Sequence, residues 1–469
     1  MTVDSTKQPE PGEGESPKRQ RSAFQVEAQP ETRAFVLLPW LKRAGDRRRT
    51  PQAQLEEAVG LSAAIHLDIV NAEVVMLDAP RPATLFGSGK VDEIADRLRY
   101  DEIELVIVDG QLTPVQQRNL ERAWKTKVLD RTGLILEIFG ERARTREGRL
   151  QVELAHLTYQ KSRLVRSWTH LERQRGGVGF LGGPGETQIE ADRRALQDKI
   201  RRLEADIAKV KKTRELHRKT RRAAPYPVVA LVGYTNAGKS TLFNRITEAD
   251  VFAQDLLFAT LDPTMRAIEL PSGRKVILSD TVGFISDLPT HLVAAFRATL
   301  EEVLEAEIVL HVRDAAHAET DAQKADVEDV LKTLGIDVET RDETQLIEVM
   351  NKVDLLGPEE AAALREQAER EANMAVISAI TGEGVDALLE RLDDLLSASA
   401  NHFDLVLEPE ESEALAWLHQ HGHVLSSETD ETGRVRIDVA LAVPESGRFE
   451  KRFPQIVERA LSLFTEAAE

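Results

Sequence analysis

The chain has 469 residues, no cysteine and a formal net charge of −19 at pH 7. The length predicts about three domains, and the lack of cysteine excludes disulfides and thiolate metal sites. No apolar stretch approaches the roughly 20 residues that a membrane-spanning helix needs, and the first residues lack a signal peptide's apolar core, so we expect a cytoplasmic protein. The net charge argues against nucleic-acid binding, but it is unevenly distributed along the chain.

Residues 1–32 form a predicted disordered tail, because they are rich in Pro, Glu, Ser, Lys and Gln and poor in large apolar side chains. From residue 33, short apolar runs alternate with amphipathic stretches, which predicts a compact α/β domain over residues 33–142. The predicted strands are 34–38, 72–77, 104–109 and 127–130, and the predicted helices lie near 52–59, 90–98 and 113–124.

Within this domain, Gly87-Ser-Gly-Lys90 has the form of half a phosphate-binding loop. It lacks the spacing of the full motif and a preceding strand. We interpret it as a turn that caps a helix beginning at Val91, with phosphate or RNA binding as the alternative.

Residues 143–226 are predicted to form a helical hairpin. Two long helical patterns, 150–168 and 189–222, flank the glycine-rich segment 176–186. From residue 191 to 222 there are thirteen Lys and Arg against five Asp and Glu, which predicts a basic stripe that contacts RNA phosphates. The alternative is a solvated face with salt bridges. The glycine-rich tip has three interpretations: entry into an RNA crevice, a linker, or a second nucleotide loop.

A phosphate-binding loop is predicted at residues 233–240, because the segment fits G-x-x-x-x-G-K-[ST] between a buried strand at 228–232 and a helix at 240–246. Its backbone N–H groups and the helix N-terminus form an anion site. We expect Lys239 to reach the β- and γ-phosphates and the Ser240 hydroxyl to ligate Mg²⁺. The predicted contacts are Gly233, Tyr234, Thr235, Asn236, Ala237, Gly238, Lys239, Ser240 and Thr241.

Two further loops are predicted to complete the phosphate and metal site. Asp280 follows the strand-like segment 275–279, where its carboxylate can hold Mg²⁺ through a water while the Gly283 N–H bonds the γ-phosphate. Thr260 is the candidate second hydroxyl ligand of the metal, on a loop that closes when the γ-phosphate is present. The predicted contacts are Phe258, Ala259, Thr260, Leu261, Asp262, Asp280, Thr281, Val282 and Gly283.

The segment Asn351-Lys-Val-Asp354 predicts the base, since it ends another apolar strand at 346–350. The Asp354 carboxylate can accept hydrogen bonds from the N1 and N2 protons of guanine, which adenine does not offer. Lys352 is expected to pack its stem along the base. The predicted base contacts are Asn351, Lys352, Val353, Asp354, Ser378, Ala379 and Ile380. These residues predict GTP and GDP as the nucleotides of this domain.

No catalytic residue is assigned, because Phe284 follows Gly283 at the position where a glutamine often orients the attacking water. An aromatic ring cannot polarise water. A backbone group, a bound K⁺ or a group from a partner then positions the water, or the intrinsic rate is slow. We expect slow turnover that rises when a partner binds.

The predicted fold class is α/β. Residues 227–398 form a P-loop GTPase domain with a doubly wound, mostly parallel sheet, preceded by the N-terminal domain and its hairpin. Residues 402–469 form a small acidic α/β domain with a strand at 434–441 and a helix at 453–464. We interpret this last domain as a protein-contact module.

Several segments together resemble the HflX GTPases over roughly residues 33–400. The most specific are in the N-terminal half, and two lie in the GTPase domain. They are residues 130–132, 143–148, 150–155, 176–180, 185–190, 258–264 and 280–284.

The resemblance implies a monomeric GTPase that binds the large ribosomal subunit, both rRNA and ribosomal protein, and splits stalled or idle ribosomes after stress. It places the N-terminal domain and hairpin tip near the peptidyl-transferase region, with hydrolysis stimulated by the ribosome. The group carries an apolar residue at the position of Phe284. The resemblance also implies ATP binding and RNA remodelling by the N-terminal part in some members. The alternative function is an assembly or hibernation factor that binds passively.

Overall fold

The structure is a computed structural model of the whole chain. It describes residues 32–42, 48–174, 184–221, 226–248, 258, 264–286, 303–304, 306–333, 335, 346–398, 401–430, 432–441, 443–457 and 459. Only the backbone is described for residues 164–174, 184–190, 211, 213–221 and 443–444. Residues 1–31 of the predicted tail, residues 176–183 of the glycine-rich segment and the predicted metal ligand Thr260 lie outside the described residues.

The N-terminal domain contains a parallel sheet in the order β2-β1-β3-β4. Its strands are β1 (Arg33–Leu41), β2 (Asp68–Leu77), β3 (Leu105–Val108) and β4 (Lys127–Asp130). Val106, Ile107 and Val108 are fully buried, as expected for a sheet that is covered on both faces. The four strands predicted in this region are confirmed.

Helices α1 (Pro51–Ala63), α2 (Ser88–Tyr100) and α3 (Pro114–Trp124) follow β1, β2 and β3. Thr50 caps α1 by accepting a hydrogen bond from the Ala53 N–H, and Thr113 forms a capping box with Gln116. The three helices predicted in this region are confirmed, each with slightly different ends.

The prediction that a helix begins at Val91 is wrong by three residues. Helix α2 begins at Ser88, and Gly87 is its N-cap residue. Lys90 therefore lies inside the first turn, where its ammonium forms an ion pair with Glu73 and a 2.8 Å ion pair with Glu93. Acidic side chains occupy the position where a phosphate would have to bind in the alternative interpretation.

Helix α4 (Arg131–Arg142) was not predicted. It begins directly after β4, where the Asp130 side chain caps it by accepting a hydrogen bond from the Gly133 N–H at 2.9 Å. Eight of its residues are buried. Because it is covered on more than one side, its sequence lacks the one-sided apolar period by which a surface helix is recognised.

Helices α5 (Arg146–Gln174) and α6 (Pro184–Arg221) form an antiparallel pair, each longer than its predicted pattern. Leu157, Ile200 and Leu203 are buried between them. Near the middle of α5, Tyr159 donates a 2.6 Å hydrogen bond to Asp130, and Arg163 forms a 2.5 Å ion pair with the same carboxylate. The pair is thereby fixed to the N-terminal sheet.

The GTPase domain contains a sheet in the order β10-β9-β8-β5-β7-β6, in which only β6 is antiparallel to its neighbour. The strands are β5 (Val228–Gly233), β6 (Thr264–Glu269), β7 (Lys275–Asp280), β8 (Ile308–Asp314), β9 (Leu346–Asn351) and β10 (Met374–Val376). The helices of the described part are α7 (Lys239–Thr247), α8 (Thr320–Thr333), α9 (Pro358–Arg370) and α10 (Val385–Ala398). This arrangement confirms the predicted doubly wound fold.

The C-terminal part contains an antiparallel sheet in the order β11-β13-β12, packed against helices. Its elements are β11 (Asn401–Leu407), α11 (Ser412–His421), β12 (His423–Thr429), β13 (Val435–Leu441) and α12 (Val443–Arg452). None of the helices in the described part of the chain is both long and apolar enough to cross a lipid bilayer.

The predicted helix at 453–464 begins one residue later than expected. A preceding helix ends at Arg452, Phe453 is not helical, and the described residues 454–457 and 459 are helical again. Pro454 explains the break, because proline disfavours a helical conformation in the residue that precedes it. The Phe453 ring instead packs 5.3 Å from the buried ring of Phe449.

Candidate functional site

The predicted phosphate, metal and base residues lie at one edge of the GTPase sheet. Parallel strands β5, β7, β9 and β10 all end at this edge, at Gly233, Asp280, Asn351 and Val376. Strand β5 lies between β7 and β8. The chain continues from β5 to strands on both sides of it, β7 on one side and β8 on the other. This reversal of strand order opens a crevice for a ligand beyond the carboxyl end of β5.

The phosphate-binding loop connects β5 to α7, which begins at Lys239. The buried Lys239 Nζ donates hydrogen bonds to the carbonyls of Gly233 at 3.1 Å and Tyr234 at 2.8 Å. Burial lowers the pKa of Lys239 to about 8, while the charge of Asp280 acts in the opposite direction. The ammonium is thus held at the mouth of the loop, next to the helix N-terminus that favours an anion.

Gly238 shows why this loop needs glycine. Its φ is +93°, and a Cβ at this position would lie 2.1 Å from Nδ2 of Asn351. The same Asn351 Nδ2 donates a 2.8 Å hydrogen bond to the Ala237 carbonyl. A side chain at Gly238 would therefore displace the asparagine that holds the loop.

On the metal side of the loop, the Ser240 hydroxyl donates a 2.7 Å hydrogen bond to Oδ2 of Asp280. Asp280 is fully buried at the end of β7. Hydroxyl and carboxylate oxygens are the ligands that suit Mg²⁺. The residues present therefore fit a magnesium ion, with Ser240 as a direct ligand and Asp280 beside it.

The segment after Asp280 is pressed against the phosphate loop. Phe284 donates its N–H to the Gly233 carbonyl at 3.1 Å, and its own carbonyl accepts from the Thr235 N–H at 2.7 Å. At Gly283, a Cβ would lie 2.8 Å from the Thr235 side chain and 3.1 Å from Lys239 Nζ. Only a glycine at position 283 lets the backbone N–H of this residue lie so close to the loop that is predicted to bind phosphate.

The Phe284 ring is buried, with 2 % of the residue's surface exposed. It belongs to an apolar cluster that also contains Phe258 and Phe139. The ring fills the core and does not face solvent. This arrangement agrees with the expectation that this residue does not orient the attacking water.

At the base end, Asn351 is buried and uses both atoms of its amide. Its Oδ1 accepts a 2.9 Å hydrogen bond from the Ala379 N–H, while its Nδ2 bonds the phosphate loop. Lys352 forms a 2.7 Å ion pair with Asp314 at the end of β8, and Asp354 is exposed to solvent. An exposed carboxylate at the rim can receive a base that enters from solvent.

Arg245, on α7, was not among the predicted site residues. Its Nε donates a 2.6 Å hydrogen bond to the Ala379 carbonyl, and its guanidinium also bonds the Ile380 carbonyl. Arg245 thereby connects the predicted base loop to α7, the helix that begins at the predicted phosphate site. Arg245 belongs to no recognised motif. Its only signal in the sequence is its position on the helix that begins at Lys239.

Some of the predicted contacts lie outside the described residues, namely Ala259, Thr260, Leu261 and Asp262. Phe258 is described and buried, and its ring packs edge-on against Phe139 of α4 with centroids 4.7 Å apart. Its side chain is therefore occupied by packing, so a contact to nucleotide would have to come from its backbone.

Taken together, a phosphate loop at the switch point of a parallel sheet, a buried aspartate bonded to the loop's serine and an Asn-Lys-x-Asp segment on β9 define a P-loop GTPase domain. The class follows from how these parts are joined, since Asn351 links the phosphate loop to the base loop.

Comparison with protein families agrees with this class and extends it over the chain. Residues 52–140 match a GTP-binding GTPase N-terminal model, and residues 142–221 match the GTP-binding GTPase middle region. Residues 228–352 match a model described as 50S ribosome-binding GTPase, and residues 363–461 match the HflX C-terminal domain.

The chain is 50% identical to a GTPase HflX of Magnetococcus marinus over 80% of its length and 85% of the relative's. It is 45% identical to a GTPase HflX of Escherichia coli, covering 81% of this chain and 88% of the relative. A GTP-binding protein from Sulfolobus solfataricus, solved with GDP, is 22% identical, with 78% of this chain and 98% of that chain covered and a TM-score of 0.43. The chain therefore belongs to the HflX family of GTPases.

The guanine assignment predicts that Asp354→Asn shifts base preference from GTP toward xanthosine triphosphate. Xanthine carries a carbonyl at C2, which complements the amide donor that asparagine introduces. Competition of the two nucleotides against a fluorescent guanine nucleotide measures the preference. An unchanged preference for GTP in this variant would contradict the role given to Asp354.

The contacts of Arg245 predict that Arg245→Ala weakens GDP binding by about tenfold, since two charge-assisted hydrogen bonds to the base loop are lost. Arg391→Ala is the matched control. Arg391 also donates to backbone carbonyls, those of Ala372 and Met374, but at the opposite end of β10. Titration of each variant with fluorescent GDP should show a loss for Arg245 alone; equal losses would mean a general effect on the domain.

Proposed function

We propose that the chain hydrolyses GTP while bound to the large ribosomal subunit, and that it splits stalled or idle ribosomes under stress. It would act in the cytoplasm as a monomer. The observation that carries the proposal is the joined site at the sheet edge, in a segment that matches a model described as 50S ribosome-binding GTPase. The two HflX relatives named above are each described as a GTPase.

In this proposal the phosphate loop holds the β- and γ-phosphates through its backbone N–H groups and Lys239. Asp354, Ser378 and Ala379 receive guanine. The contacts of Asn351 support this division, because its amide bonds the phosphate loop at Ala237 and the base loop at Ala379. Thr260 and its neighbours remain predicted contacts of the loop that closes on the γ-phosphate.

A magnesium ion bound between Ser240 and the nucleotide would neutralise charge on the phosphates. The buried Asp280 supports this assignment, since it already accepts a hydrogen bond from the Ser240 hydroxyl at 2.7 Å. Asp280 would orient a water of that ion. A requirement for K⁺ is a separate proposal, which replacement of K⁺ by Na⁺ in the assay would test.

The buried Phe284 supports a partner-dependent rate. No group in the described part of the chain has been assigned to orient the attacking water, and the Phe284 ring is enclosed in the core. We propose that the ribosome supplies or positions that group. The intrinsic hydrolysis is then slow, and binding of the large subunit accelerates it.

Helix α6 is the proposed contact to ribosomal RNA. Arg193, Arg194, Arg201 and Arg202 have exposed side chains on this helix. Of its described basic residues, Lys199, Arg201 and Lys209 form surface ion pairs with Glu153, Asp198 and Asp206 at 2.8, 3.7 and 2.9 Å. Surface pairs of this kind are worth at most about 1 kcal/mol, so phosphate groups can replace them.

The proposal predicts that purified large ribosomal subunits stimulate GTP hydrolysis by the protein, but not ATP hydrolysis. Phosphate release is measured with and without subunits, with Lys239→Ala as the control that should show no hydrolysis above background, because the phosphate-binding ammonium is lost. If the subunits leave the rate unchanged, the proposed partner is wrong even though the GTPase class stands.

Splitting is tested separately by light scattering of intact ribosomes mixed with the protein and GTP or a non-hydrolysable analogue. The proposed function predicts a fall in scattering as subunits separate. Stable scattering at saturating protein, with binding confirmed by sedimentation, would instead identify a factor that binds passively in assembly or hibernation.

A further inference from the structure

A threonine hydroxyl in the phosphate-binding loop is buried without a partner. Thr235 is the third residue of the loop, and 5 % of its surface is exposed. Its Oγ1 forms no hydrogen bond within the described part of the chain. A buried hydroxyl of this kind is costly, because it gives up its bonds to water and receives none in exchange. In a loop that is predicted to bind phosphate, a ligand oxygen is the natural partner.

The backbone around Thr235 is fixed against the segment that contains Phe284. Tyr234 and Phe284 form a parallel bridge. Thr235 donates its N–H to the Phe284 carbonyl at 2.7 Å, and the Gly233 carbonyl accepts the Phe284 N–H at 3.1 Å. The N–H of Thr235 is therefore used within the protein. The hydroxyl is the donor that this residue can offer to a ligand.

The Thr235 side chain lies beside Gly283 and the ammonium of Lys239. A Cβ placed on Gly283 would lie 2.8 Å from Thr235 Cγ2, 2.9 Å from Thr235 Cα and 3.1 Å from Lys239 Nζ. These atoms thus surround one point. Because threonine is β-branched, its methyl and hydroxyl groups have few orientations available. Packing of the methyl group against Gly283 therefore also restricts where the hydroxyl lies.

Three hydrogen-bond donors with unused capacity meet at this point. The Lys239 ammonium has three N–H groups, and the carbonyls of Gly233 and Tyr234 accept two hydrogen bonds from it. The Gly283 N–H forms no hydrogen bond to the residues that the structure describes. The Thr235 hydroxyl is the remaining donor. The terminal phosphate of a nucleoside triphosphate carries three non-bridging oxygens, so these donors match it in number and in kind.

We infer that the Thr235 hydroxyl donates a hydrogen bond to the γ-phosphate of GTP. GDP ends at the β-phosphate and does not reach this donor. Thr235 therefore makes the site prefer the triphosphate over the diphosphate. The inference rests on the proposed function, which places the γ-phosphate beside Lys239 and Gly283.

The position of the hydroxyl explains how it would distinguish the two nucleotides. The negative charge of the terminal phosphate makes this hydrogen bond stronger than one between two neutral groups. A side chain that is already fixed by packing loses little freedom when the ligand binds, so the contact contributes directly to affinity. The difference in affinity sets how much of the protein holds GTP when the two nucleotides compete.

The variant Thr235→Val keeps the shape of the side chain and removes the hydroxyl. In the full-length protein with Mg²⁺, its affinity for guanylyl imidodiphosphate, a non-hydrolysable analogue of GTP, should fall about tenfold. Its affinity for GDP should stay within about twofold, because GDP has no phosphate at this contact. Displacement of a fluorescent GDP measures both affinities.

Thr235→Ser retains the hydroxyl, so its affinity for the analogue should lie closer to that of the wild type than to that of Thr235→Val. Ser279→Ala is the matched control. Ser279 is fully buried in β7 opposite Ala230, and its hydroxyl also lacks a partner in the described part of the chain. It lies within the sheet and not on the loop. Its variant should bind both nucleotides as the wild type does.

Thermal unfolding of the nucleotide-free protein separates a ligand contact from a structural one. Thr235→Val should be at least as stable as the wild type, because a methyl group replaces a buried hydroxyl that has no partner. No ribosome enters these measurements, so they do not depend on the proposed partner.

The outcomes are distinct. If Thr235→Val binds the analogue as tightly as the wild type does, the hydroxyl does not contact the γ-phosphate and the inference is overturned. Equal losses for the analogue and GDP, with a lower unfolding temperature, would make the hydroxyl a structural group and also overturn it. If Thr235→Val does not fold, as judged by circular dichroism, Thr235→Ala and Thr235→Ser decide the result. A wild-type protein that binds neither nucleotide would instead refute the proposed function itself.

Discussion

The amide of Asn351 is the contact on which the arrangement of the nucleotide site depends. It is buried at the end of β9, donates to the Ala237 carbonyl and accepts from the Ala379 N–H. Both hydrogen bonds are made inside the protein, where an unpaired amide would be costly. The phosphate loop and the base loop are therefore held at a fixed separation, as a ligand with a phosphate at one end and a base at the other requires.

The same loop is also held from outside the GTPase domain. Tyr234, its second residue, donates to Glu57, and the guanidinium of Arg49 lies 4.9 Å from the centre of the Tyr234 ring. Arg49 further pairs with Asp326 of α8 at 2.9 Å. The N-terminal domain is thus attached to the loop, to the segment after Asp280 and to a neighbouring helix.

These attachments bear on how the chemistry is divided between the protein and its partner. In the proposed function the chain supplies the phosphate loop, a carboxylate beside the Ser240 hydroxyl and a glycine, Gly283, that packs closely against Thr235. Phe284 fills the core at the position where a polar residue could orient water. A site without an assigned group to orient the attacking water fits a GTPase whose rate depends on a partner. The exposed basic face of α6 is the surface proposed to contact phosphate-rich RNA.

The sequence by itself determined the GTPase fold and the identity of its motifs, because each motif is local. A loop of fixed spacing between a strand and a helix, or an Asn-Lys-x-Asp at a strand end, is visible in a few consecutive residues. The sequence also determined where the strands of the N-terminal domain lie, because their apolar runs are bounded by polar turns. Only the tertiary structure decided the positions of α4 and Arg245 and brought Glu57 together with Tyr234 and Ser286. Helix α4 is covered on several sides and shows no one-sided period, and Glu57 and Ser286 are 229 residues apart in the chain. Side chains so distant become hydrogen-bond partners only when the two domains pack against each other, and no local sequence pattern indicates that contact.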